Sequence, residues 1–149
     1  MPDIIFMRAA LEEAWKAYEK GEVPIGAVLV KEGEIIARAH NLKEERQDST
    51  AHAEILVIQE GCKILKSWRL TGTTLYVTVE PCPMCAGVLI QARVKRLVFG
   101  TRDLKAGACG SLYNLVRDER FNHCVEIEEG VLQESCADIM QRFFKDLRK

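Results

Sequence analysis

The chain has 149 residues, of which 48% are hydrophobic and 29% charged, and its formal net charge is −1. That is the length of one domain, and at this size a fold buries roughly 68–70% of its unfolded surface, so no metal or disulfide is needed merely to fold. There is no apolar run of membrane-spanning length, no signal-peptide pattern at the start, and no overall excess of basic charge. A single domain over residues 1–149 is expected, with no membrane contact and a reducing, cytoplasmic setting.

Apolar residues at helical spacing mark Ile5 to Tyr18 as a helix, with Phe6, Ala10, Ala14 and Tyr18 along one stripe and Met7, Leu11 and Ala17 beside it. Lys20-Gly21-Glu22 ends it. Ile25 to Val30 and Ile35 to Ala39 flank the turn Lys31 to Glu34 and read as a β-hairpin. Asn41 to Ser49 is polar and reads as a loop. Thr50 to Cys62 predicts a buried helix, Thr73 to Val79 a central strand, and Pro81 stops that strand. Met84 to Gln91 predicts a second buried helix and Lys95 to Gly100 another strand. Thr101 to Gly110 reads as a glycine-bearing loop, followed by a short helix near Ser111 to Val116 and a last strand over His123 to Ile127. Val131 to Leu147 is amphipathic, with Cys136, Ile139, Met140, Phe143 and Leu147 on one stripe. This order predicts an α/β fold, a mixed sheet with helices on both faces and the later strands parallel.

The chain has six cysteines. Cys62, Cys109, Cys124 and Cys136 are scattered and read as buried free thiols. Cys82 and Cys85 form a C-x-x-C pair, which in a reducing compartment points to metal or redox chemistry. Residues 91–120 carry seven basic side chains against three acidic ones. Such a patch is either solvated surface or a footprint for phosphates.

One constellation carries chemistry: His52-Ala53-Glu54 and Pro81-Cys82-Pro83-Met84-Cys85. Neither half is diagnostic alone, but each opens a predicted helix. Cys82 and Cys85, three apart in a first turn, face the same way, and a helix N-terminus favours thiolates. With the His52 imidazole they make three zinc ligands and leave a fourth position for water. Zinc lowers the pKa of such a water toward roughly 7, giving a hydroxide nucleophile. Glu54 is then a proton shuttle, provided that it and His52 both border the cavity at the helix start. Glu80 reads as a structural residue at a strand end. Three other readings stay open: a structural zinc with one further cysteine as fourth ligand, a redox pair, and chance co-occurrence.

The H-x-E and P-C-x-x-C pattern resembles that of the zinc-dependent nucleobase deaminases. Within them, the chain is similar to the bacterial tRNA adenosine deaminases over nearly its whole length. The similarity runs through Gly21 to Ala27, Asn41, Thr50 to Glu54 and Leu75 to Gly87. It continues in Val98-Phe99-Gly100, Gly110-Ser111-Leu112, Phe121-Asn122-His123 and Phe143-Phe144. The resemblance implies a cytidine-deaminase-like three-layer α/β/α fold with a mixed five-stranded sheet, a homodimer with one Zn2+ per subunit, and conversion of adenosine to inosine at the wobble position of a tRNA anticodon. It implies His52, Cys82 and Cys85 as ligands and Glu54 as the catalytic acid and base. Asn41 and the Ala53 backbone N–H would bind the flipped nucleoside, and Val23 and Pro24 would wall the pocket. Asp103 and Lys105 would meet the RNA backbone, and Asn122 and His123 the anticodon nucleotides.

Two positions depart from the pattern: Cys124 stands where a basic residue is expected, and Cys109 adds a thiol to the substrate-facing loop. The dimer surface is expected on Pro83 to Gln91 and the loop after Gly100. The alternatives are a deaminase of a free base or nucleotide, of guanine or cytosine type, and a non-catalytic RNA-binding module with structural zinc.

Overall fold

The computed structural model describes residues 2–147. Helix α1 (Pro2–Glu19) leads into the hairpin β1 (Gly26–Lys31) and β2 (Glu34–His40). Glu32 and Gly33 both have positive φ, 51° and 78°, the pairing that matches a two-residue turn to strand twist. A short helix α2 (Lys43–Arg46) interrupts the predicted loop, and then come α3 (Ala53–Leu65), β3 (Thr73–Val79), α4 (Pro83–Gln91), β4 (Arg96–Thr101), β5 (Glu126–Glu129) and α5 (Gln133–Leu147).

The sheet runs β2-β1-β3-β4-β5. β1 is antiparallel to β2 and β3, while β3, β4 and β5 are mutually parallel. Successive strand residues serve opposite faces. Ala27, Leu29, Leu75, Val77, Leu97 and Phe99 pack with Val57, Ala86 and Leu89 of α3 and α4. Val28, Val30, Tyr76 and Val98 pack instead with Met7, Ala10 and Cys136 of α1 and α5. The result is the expected α/β/α sandwich with five strands in a mixed sheet.

α1 approaches the sheet closely because its inner face is Ala10, Ala14 and Ala17, all fully buried. Gly26 completes this approach: a Cβ there would lie 2.8 Å from Glu13 Cβ and closer still to Ala10 O and Ala14 N. At the start of α1, Asp3 takes a bidentate pair from Arg96, at 2.9 and 2.8 Å, and a hydrogen bond from Tyr76 Oη at 2.6 Å.

Several predicted boundaries shift. α3 starts three residues later than predicted, because Thr50 instead donates to Asp48 Oδ1 through both its N–H and its hydroxyl. Ser111 to Val116 forms no α-helix, only a 3-10 turn over Leu115–Arg117. The last strand lies at Glu126–Glu129, not over His123 to Ile127. On α5, Cys136, Ile139 and Phe143 are buried, but Leu147 is 64% exposed. Of the scattered cysteines, Cys109 and Cys136 are buried, whereas Cys62 and Cys124 are only partly so.

Candidate metal centre and active site

Two helix starts converge beyond the C-terminal end of β3. His52 is the N-cap of α3, in extended backbone at φ −80° and ψ 149°. That conformation breaks the helical phase, so His52 and Glu54 need not face apart as they would within one regular helix. Cys82 caps α4, with Pro83 in its first turn and Cys85 one turn on. Pro83 is suited to that position because its missing N–H would lack a helical partner anyway. The His52 Nδ1 atom lies 3.7 Å from Cys82 Sγ and 3.5 Å from Cys85 Sγ. These three residues form a cluster able to hold a metal ion, with donor atoms all within 4.8 Å of one another. None of Cys62, Cys109, Cys124 or Cys136 joins them, so the fourth protein ligand of a closed structural site is not found among the described residues.

The electrostatics suit a cation. The Cys85 thiol and the His52 ring together hold Cys82 down at about 4, against its burial. Hydrogen bonding to Cys82 and burial push Cys85 up. The Cys82 contact raises His52. Glu54 is 3% exposed, and burial pushes its carboxyl up to about 7. Its Oε1 has no hydrogen-bond partner among the described residues. A buried, unsatisfied carboxylate oxygen is costly in a folded chain, which marks a place where a proton or a ligand is expected.

Asn41 is buried, and its Oδ1 accepts the Ala53 N–H at 2.8 Å. The Ala53 N–H, expected to face a base, thus lies beside Asn41 at the start of α3. The segment around Asn41 is pinned by Asn41 N to Ile25 O and Leu42 N to Ala51 O. Glu22, 1% exposed, accepts from Glu44 and Glu45 N–H at 3.0 and 2.7 Å. Sequence reading missed Glu22, although its place beside Val23 and Pro24 was the available signal. Pro24 is buried and Val23 half-buried.

The loop after β4 is built on Glu80. Its carboxylate accepts from Asp103 N at 3.1 Å, Cys109 N at 3.0 Å, Ser111 N at 2.9 Å and the Ser111 hydroxyl. Burial pushes Glu80 up, but these bonds outweigh it and hold the carboxyl below its ordinary value. Asp103 Oδ1 in turn accepts from Lys105 N and Ala106 N, and Lys105 is exposed. Cys109 is 2% exposed and burial raises its thiol, so it is shielded and not a reactive addition to the loop.

Asn122 and His123 lie elsewhere. His123 Nε2 sits 2.7 Å from Val94 O, just ahead of β4, whereas the metal ligands follow the far end of its neighbour β3. A six-residue strand is about 17 Å long. One chain therefore does not bring His123 to the metal cluster. His123 instead lines a cavity of about 620 Å³ with Arg69, Arg93, Lys95 and Cys124. Arg69 and Arg93 flank the Trp68 ring. The basic patch of residues 91–120 is thus divided, with Arg96, Arg102 and Arg120 paired to Asp3, Glu129 and Asp118.

The family profile of the MafB19-like deaminases matches residues 1–148. The chain is 60% identical over 147 residues to a tRNA-specific adenosine deaminase of Bacillus subtilis, covering 99% of this chain and 91% of that one. It superposes with a TM-score of 0.87 and 46% identity, over 90% of this chain and 97% of the other, on a protein solved in studies of A-to-I editing by tRNA:A34 deaminases at the wobble position of transfer RNA. A guanine deaminase of Nitrosomonas europaea shares the fold, with a TM-score of 0.82 at 22% identity, over 94% of this chain and 83% of that one.

Proposed function

We infer, for a chain that belongs to the MafB19-like deaminases and within them to the tRNA-specific adenosine deaminases, that it hydrolyses adenosine to inosine at the wobble position of a tRNA anticodon, releasing ammonia. The observation that carries the chemistry is the convergence of His52, Cys82 and Cys85 beside a buried carboxylate with an unpartnered oxygen.

The donor set fits zinc. One imidazole nitrogen and two sulfurs are the ligands of a catalytic site that keeps its fourth position open, and the orphaned Glu54 oxygen borders them. His52, Cys82 and Cys85 would hold one Zn2+ per subunit. When bound, zinc supplies a water acidic enough to act at neutral pH.

The remaining work falls to the chain. Glu54, buried and raised to about 7, can both accept and return a proton near neutrality, as a general acid and base must. It takes a proton at Oε1, passes it to the purine ring nitrogen, and then delivers a proton to the departing amine. Asn41, oriented by the Ala53 N–H, orients the nucleoside. Val23 and Pro24 wall the pocket and exclude water. Asp103 and Lys105 belong to the loop that meets the RNA backbone. The target base must leave its stack to enter such a pocket, and a single-stranded loop permits this.

We assign one domain over residues 1–149, a cytoplasmic setting and a homodimer. The exposed Met84, Leu104, Leu112 and Tyr113, on α4 and the loop after β4, support a partner covering that surface. Asn122 and His123 then meet the anticodon nucleotides from a second copy. The test is inosine formation on an anticodon stem-loop RNA with a wobble adenosine, run beside free adenosine, cytidine and guanine. Inosine in the RNA alone supports the assignment. An inert RNA beside a deaminated free base replaces it with the free-base reading.

A further inference from the structure

Glu80 takes no part in the chemistry above, yet nine residues of chain are organised around it. It is 3% exposed, and all four side-chain hydrogen bonds it accepts come from residues 103–111. No ion pair reaches it among the described residues, so backbone N–H groups and one hydroxyl satisfy it. A second feature points at the same carboxylate. A Cβ on Gly107 would come within 2.5 Å of Asp103 O and no farther from the Glu80 carboxylate. The constraint at Gly107 is space and not conformation. Further bonds lock the loop: Gly107 N to Asp103 O, Ala108 N to Pro81 O and Leu112 N to Gly107 O, at 2.8 to 2.9 Å.

Glu80 also stands two residues before Cys82. The carboxylate therefore fixes the spacing between Cys82 and the loop carrying Asp103, Leu104 and Lys105, of which Leu104 is 75% exposed. A strand-end residue needed only for folding has no reason to recruit every donor from this one loop.

We propose that Glu80 is a positioning residue for RNA: it templates the 103–111 loop beside the metal cluster, so that capture of the RNA depends on it while metal retention and the chemical step do not. This rests on the RNA reading above.

The test uses the full zinc-loaded chain with Glu80→Gln, Gly107→Ala and the double variant. Glu80→Gln replaces an acceptor oxygen with an amide that only donates, facing N–H groups. Gly107→Ala pushes a methyl into the same carboxylate without changing charge. Both are expected to raise KM for the stem-loop RNA by about tenfold or more, to keep kcat within about threefold, and to retain the parent's zinc. Amide hydrogen exchange at Cys109 and Ser111 accelerates in both. The double variant is no worse than the poorer single one within about twofold, as expected for two lesions in one contact.

Parent KM in both variants overturns the proposal. So does a fall in kcat at unchanged KM, or loss of zinc from Glu80→Gln. Should Glu80→Gln fold poorly, Gly107→Ala and Ser111→Ala decide the matter on the same readouts. If the parent leaves RNA untouched and deaminates a free base, the substrate reading has failed, and KM for that base is read instead. A raised value there keeps the positioning role, and an unchanged one removes it.

Discussion

Gly26→Ala tests the close approach of α1 to the sheet. The added Cβ would lie 2.8 Å from Glu13 Cβ and closer still to Ala10 O and Ala14 N, all inside the 3.0 Å that real Cβ atoms essentially never show. Two of these three atoms are helix backbone, so no side chain can swing aside. Normal contact is about 3.5–4.0 Å, so α1 must withdraw by about 1 Å to clear Glu13 Cβ and by more to clear the two backbone atoms, and a gap of even about 1 Å forfeits up to about half of each contact along its alanine face. Overpacking usually costs about 1–3 kcal/mol. With backbone as the obstacle the upper end applies, about 3 kcal/mol, or roughly 6–12 °C in Tm for a chain of this length. The Gly26 N–H also donates to Thr78 Oγ1 at 3.2 Å, so the same shift loosens β1 where Val23 and Pro24 enter. Thermal and urea unfolding of matched zinc-loaded samples measure the loss. A melt within about 2 °C of the parent would refute the packing argument.

Glu54→Gln keeps the shape of the buried side chain but cannot carry a proton. Turnover is expected to fall by about 10²–10⁴-fold with bound zinc and RNA affinity intact, and loss of zinc from that variant would instead make Glu54 a ligand. His52→Ala removes one of three donors, so its zinc content by metal analysis should collapse; full occupancy would take His52 out of the set. Hydrogen bonding from Arg96, opposed by burial and aided by Tyr76, holds the Asp3 carboxyl below its ordinary value. A lowered folded value means stability that is present above the unfolded value near 3.8 and is lost as pH falls through the folded one. Asp3→Asn should therefore cost on the order of 1 kcal/mol at pH 7, and its Tm should converge with the parent's at the acid end. Equal deficits at both pH values would sever the link to ionisation. RNA binding should weaken steadily with added salt as phosphate contacts release counterions, and a flat response would argue against Lys105 and its basic neighbours as phosphate contacts.

The sheet was legible because burial on both faces leaves near-continuous apolar runs. Leu75-Tyr76-Val77 and Leu97-Val98-Phe99 admit little other than central strands. The metal cluster was legible for a related reason: all three donors and Glu54 sit at element starts, where local sequence fixes direction. β5 was misplaced because Glu126-Ile127-Glu128-Glu129 has one apolar residue, and its strand character comes from pairing with β4. Which basic side chains stay free was not legible, because Asp3 and Glu129 pair with Arg96 and Arg102 from far along the chain. Local composition cannot show that.

The segment after β4 was the least legible, and the reason is physical. Residues 102–114 have neither a helical nor a strand period, so nothing local specifies their path. Their hydrogen-bonding groups are directed by a carboxylate more than twenty residues upstream, and their close packing depends on the absence of one Cβ at Gly107. Glu80 read as a strand-end residue because it directly follows the last residue of β3. A pattern search finds residues that touch a metal, since ligands must sit at set spacings. It passes over a residue whose task is to receive donors from elsewhere in the chain, because that task sets no spacing. Where a loop carries the contacts that decide which substrate enters, its organiser is therefore to be sought among buried carboxylates that accept from backbone N–H groups and have no cation beside them.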